Sequence, residues 1–76
     1  MKAGDTVTPR ATMRAYSLIA DAPRDPVRRM LFTPQQRGVV FHTAGGYALV
    51  HFTHNGRTYT TNQHESAFVV VAERAA

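Results

Sequence analysis

From Gly38 to Thr61, apolar and polar residues run in short stretches broken at two pairs, Gly45-Gly46 and Asn55-Gly56. Asn-Gly between β-rich runs is a strong hairpin signal, because a type I′ turn needs positive φ at both central residues. Gly-Gly supplies the same freedom one strand earlier. Treating each pair as a two-residue loop fixes a register for three antiparallel strands. Phe41 then faces Val50 and Val39 faces Phe52; beyond the second turn, Phe52 faces Tyr59 and Val50 faces Thr61. One face carries Val39, Phe41, Ala48, Val50, Phe52 and Tyr59, and reads as core. The other carries Val40, His42, Leu49, His51, Thr53, Thr58 and Thr60, and reads as mixed and partly solvated. Both turns and one register agree on the same faces, which is how a consistent sheet reads.

The flanks extend this meander. Gly4-Asp5 predicts a turn, Thr6-Val7-Thr8 a short strand with one inward apolar residue, and Pro9 its end or an edge position. Thr12 to Ala20 fits two patterns: alternation groups Tyr16 with Leu18, and helical spacing groups Met13, Tyr16 and Ala20. Its turn-like flanks and short length favour the extended form. Asp25 before Pro26 is a helix N-cap signal with proline at the first helical position. It predicts a short helix from Pro26 to about Phe32, with Val27, Met30 and Leu31 inward, Arg28 and Arg29 outward, and Pro34 as the stop. Asn62 to Ser66 reads as a turn or 3₁₀ segment. Ala67 to Ala72 is apolar on both faces, the pattern of a central strand or of one covered by a partner. The expected fold is mainly β: one domain over residues 1–76, a small antiparallel barrel with one short helix in a long early loop.

This layout resembles the SH3-like barrel superfamily. The resemblance rests on the opening Gly4-Asp5-Thr6-Val7, a long loop, the Gly38-Val39-Val40 strand, a hairpin, the Asn62–Ser66 turn and a closing strand. Within it, KOW-type barrels imply binding to RNA or ribosomal surfaces, although residues 11–36 are much longer than their compact glycine-rich loop. The plasmid-encoded type II dihydrofolate reductases are similar in length and opening. Their Val-Gln-Ile-Tyr motif is replaced here by Arg57-Thr58-Tyr59-Thr60, so the resemblance does not imply reductase activity.

Seventy-six residues lie near the lower limit for a domain held by a hydrophobic core alone. The lack of cysteine excludes disulfides, thiolate metal sites and cysteine nucleophiles, and fits a reducing cytoplasm. No apolar run approaches the ~20 residues of a membrane helix. Met1-Lys2-Ala3-Gly4-Asp5 has no hydrophobic leader core, so an intact cytoplasmic product is expected.

Charge changes the picture more. Residues 1–37 hold seven basic residues against Asp5, Asp21 and Asp25, which accounts for the whole formal net charge of +4. In residues 38–76, Arg57 and Arg74 balance Glu65 and Glu73. The positive charge is almost entirely arginine, the side chain suited to forked contacts with phosphate or carboxylate. Arg10, Arg14, Arg24, Arg28, Arg29 and Arg37 are therefore candidate contact residues, with Tyr16 or Tyr47 available to stack on bases. The plainer reading is that these arginines only solvate a long loop.

His42 and His51 share a face in the proposed register, but a histidine-only zinc site needs three converging ligands. Ser17 and Ser66 lack a nucleophile elbow, and the few carboxylates form no acid/base pair. No cofactor, metal or catalysis is expected. The leading expectation is a non-catalytic basic protein docking on nucleic acid or a nucleoprotein complex, of the kind a phage or plasmid encodes as a regulator. The second is a protein-interaction inhibitor of anti-CRISPR type that uses the same arginines on an acidic protein. The apolar last strand also suits a homodimer. On this reading the meander is scaffold and residues 10–37 bind.

Overall fold

Both glycine-containing pairs make the turns their residue types allow. In the computed structural model, which describes residues 1–17 and 29–71, strands β4 (Gly38–Ala44), β5 (Tyr47–His54) and β6 (Arg57–His64) form an antiparallel meander. Gly45 and Gly46 have φ of 60° and 82°, and Asn55 and Gly56 have 51° and 74°. The second hairpin has the expected register throughout, with Phe52 opposite Tyr59 and Val50 opposite Thr61.

The first hairpin departs from it. Ala44, Thr43 and His42 face Tyr47, Ala48 and Leu49 as a two-residue loop requires, but Val40 then faces Val50 and Val39 faces His51. One extra residue, Phe41, is accommodated as a β-bulge, and the faces of the preceding residues exchange. Val40 is 1% exposed, whereas Val39 is 48% and Phe41 62% exposed. The expected placement of Val39 and Phe41 in the core is thus corrected. Three successive apolar residues let either register bury something; Gly38 helps to decide. In the observed register it lies inward, where a Cβ would sit 2.8 Å from Val50 Cγ1 and from Phe52 Cε1. The core is built against the missing side chain.

Around the meander lie β1 (Thr6–Pro9), β2 (Met13–Ser17), β3 (Arg29–Phe32) and β7 (Phe68–Val70). The seven strands form one sheet in the order β3-β2-β6-β5-β4-β1-β7, with all pairings antiparallel. A 3₁₀ turn at Glu65–Ala67 leads into β7, so β6 runs further than the expected turn allowed.

β2 is extended, as its short run suggests, with Ala15 and Ser17 buried and Arg14 and Tyr16 outward. Leu18 lies outside the described residues. The expected helix is corrected where it can be seen: residues 29–32 form a strand paired with β2, Met30 opposite Ala15 and Phe32 opposite Met13. Its alternation has period two, with Phe32 buried and Leu31 exposed. An N-cap signal reports only a local preference, and pairing with a preformed neighbour overrides it. Pro26 to Arg28 lie outside the described residues. The last strand is also corrected. β7 is an outer strand that pairs with β1 alone among the described residues, and Val69 and Val70 are exposed.

The sheet curls strongly. β3 and β5 are three strands apart, a separation of about 14 Å in a flat sheet. Yet the rings of Phe32 and Phe52 stack with centroids 4.4 Å apart, and Tyr59 tilts against Phe32 at 5.5 Å. The inside of the curl is the core: Val7, Ala15, Phe32, Val40, Ala48, Val50, Phe52, Tyr59 and Phe68. The fold is therefore a curled antiparallel half-barrel, and β3 and β7 do not pair with each other among the described residues.

Candidate nucleic-acid interface

Because side chains alternate along a strand, a curled sheet that gathers its apolar set inside turns the other set outward on a convex face. The pairings place one row of outward residues across it: Arg29, Tyr16, Thr60, His51, Val39 and Thr6, each opposite the next. Beside this row the bulge turns Phe41 outward. Its ring stacks on the His51 imidazole, with centroids 4.6 Å apart and planes 15° from parallel. Further along, Tyr47 meets His64 edge-on at 5.5 Å. His64 also caps the 3₁₀ turn, where the Ser66 backbone N–H donates to His64 Nδ1 at 3.2 Å.

A depression of about 140 Å³ opens on the same face, lined by His42, Ala44, Tyr47, Leu49 and Asn62. A shallower groove of about 200 Å³ runs along the β2–β3 end, between Arg14, Arg29, Met30 and Leu31. Among the described residues, no three histidine or carboxylate side chains converge as a metal site would require.

The electrostatics of the face follow from the strand sequences. No Asp or Glu occurs in any described strand. The two carboxylates of the described residues are engaged beside the strands. Asp5 Oδ2 accepts from the Lys2 backbone N–H at 2.9 Å, and Glu65 Oε1 lies 4.0 Å from the terminal ammonium. Arg14 and Arg29 are diagonal neighbours on the outward face of β2 and β3, and no carboxylate among the described residues stands across the sheet from them.

The structure sorts the expected contact residues. Arg14, Arg29 and Tyr47 share the outward face, and Arg37 is exposed one residue before β4. Arg10 has a different task. Its Nε donates to the Ser66 carbonyl at 3.0 Å, and Nη2 lies 3.5 Å from the Phe68 carbonyl. With its backbone N–H donating to Ala67 O at 2.8 Å, it ties the end of β1 to the 3₁₀ turn. Arg24 and Arg28 lie outside the described residues. Sequence reasoning passed over Phe41 and Asn62. Phe41 is hidden from a turn-counting argument because the bulge lies four residues before the turn. The available signal is the unalternating run Val39-Val40-Phe41, which cannot place all three residues inside.

No family model, curated protein or solved structure matches this chain.

Proposed function

We propose that this chain is a non-catalytic binding protein that docks on nucleic acid, free or within a nucleoprotein complex, through the outward face of its curled sheet. One observation carries the reading: a strand surface without carboxylates on which Arg14 and Arg29 stand together, with Tyr16 between them and the rest of the face. Guanidinium groups make forked, charge-assisted contacts with phosphates, and no acid in the described strands competes for them. Arg37 adds a third exposed cation beside the start of β4. An SH3-like identity for the barrel and a role as a phage- or plasmid-encoded regulator belong to the same proposal. Their support is the Gly4-Asp5-Thr6-Val7 opening together with small size and basic charge.

Fluorescence anisotropy with labelled DNA and RNA across a salt series tests this reading. Binding is expected at low salt and falls as salt rises. Arg14→Gln and Arg29→Gln should each reduce the slope of log K against log salt by about 0.7–0.9. Absence of binding at low salt, or an unchanged slope in the double variant, refutes it.

A further inference from the structure

We infer that the outward face is a stacking platform for unpaired bases, so its occupant is single-stranded nucleic acid. This deepens the function proposed above and rests on it.

The first ground is the bulge. Without it the register would carry Phe41 inward; with it, a large ring stands 62% exposed. Bulges re-aim side chains near binding sites. The ring it exposes is not loose, because His51 lies parallel beneath it at 4.6 Å. A preformed ring pair offers its free face to another flat π-system at little entropic cost.

The second ground is spacing. Tyr16 is separated from His51 by Thr60 alone in the cross-strand row, two strand spacings or roughly 10 Å. Tyr47 stands four residues along β5 from His51 on the same face. Thr60 stands between Tyr16 and His51, and Leu49 between His51 and Tyr47, so the rings are spread across the face at separate positions rather than gathered into one cluster. The Asn62 amide borders the His42–Tyr47 depression and has no side-chain hydrogen-bond partner among the described residues. It can donate to and accept from a base edge.

The third ground is shape. The core fills the inside of the curl, so the binding face is convex. A rigid duplex meets a convex surface along a line and keeps its bases stacked on one another. A single strand can follow the curve with its phosphates toward Arg14 and Arg29 and its bases on the rings.

The test compares, at one salt concentration, a labelled mixed-sequence single strand of DNA, the same sequence as RNA, and the corresponding DNA duplex. Single strands are expected to bind at least tenfold tighter than duplex. Phe41→Ala should weaken single-strand binding roughly 5- to 150-fold, and Phe41→Tyr should restore it. The urea midpoint of each variant, near that of the parent chain, keeps loss of binding separate from loss of fold. Duplex binding as tight as single-strand binding, or an unimpaired Phe41→Ala, overturns the platform while leaving arginine-mediated docking intact if the salt slope still depends on Arg14 and Arg29. Binding of poly-glutamate that equals oligonucleotide binding and depends on Phe41 also overturns it, in favour of an acidic protein partner. Failure of every oligonucleotide to bind at low salt defeats both readings.

Discussion

Deleting Phe41 should leave the fold standing. Removing one residue from inside a strand normally turns half of its side chains to the wrong face. Here Val40 faces Val50 and His42 faces Leu49, and Val50 and Leu49 are already consecutive. Without Phe41, Val40 and His42 become consecutive too, one inward and one outward, and the ladder closes without a slip. Val40 stays buried and Gly38 stays against Phe52. What is lost is an exposed ring and a local bend, so the cost should stay under about 1 kcal/mol, the scale of surface changes. Deleting His51 is the control. It makes Val50 and Phe52 neighbours although both now point inward, and one must leave the core. Losing Phe52, with its stack on Phe32, costs about 2–4 kcal/mol. Urea unfolding followed by circular dichroism measures both. A Phe41 deletion that destabilises as much as the His51 deletion would refute the bulge and the assignment of faces built on it.

Gly38→Ala should lose about 1–3 kcal/mol in the same assay, because the new methyl meets Val50 and Phe52 at 2.8 Å; a loss below about 0.5 kcal/mol would mean that the inward placement of Gly38 is mistaken. Arg10→Ala should cost about 1 kcal/mol through its bond to the Ser66 carbonyl, while leaving oligonucleotide affinity unchanged; a binding defect without a stability defect would return Arg10 to the interface. Asn55→Ala should cost about 1–2 kcal/mol, since alanine tolerates φ of 51° poorly; a neutral result in thermal unfolding would argue against the type I′ geometry.

Much of the scaffold is legible in the sequence because its determinants are local. Asn55-Gly56 fixes one hairpin completely, since turn type and strand period leave no freedom in register. β1 is legible for the same reason, bounded by Gly4-Asp5 before it and Pro9 at its end. The errors lie where the deciding contact is remote. Residues 29–32 carry a helix signal just upstream, and only pairing with β2 makes them a strand. The run Val39-Val40-Phe41 satisfies either register locally, and the choice is made by Gly38 packing on Val50 and Phe52. The contact residues divide in the same way. Arginine-rich composition points to Arg14 and Arg29, but nothing local shows that Arg10 is held by the carbonyls of residues 66 and 68, or that Phe41 faces outward.

The position of β1 has a consequence for the order of events in folding. Val7 pairs with Gly38 on one side and with Val70, 63 positions later, on the other. The β4–β5–β6 hairpins close through two-residue turns, on a timescale of roughly 1–10 μs for a single hairpin. β1 has no complete slot until both β4 and β7 exist, and closing such a loop carries an entropic cost that grows with its length. The first of the described strands in sequence is thus the last that can be fully paired. In pulse-labelled hydrogen exchange during refolding, amides of β5 and β6 should gain protection before those of β1; protection of β1 first would contradict this order. β1, lying between β4 and β7, acts as the closing stitch of the sheet.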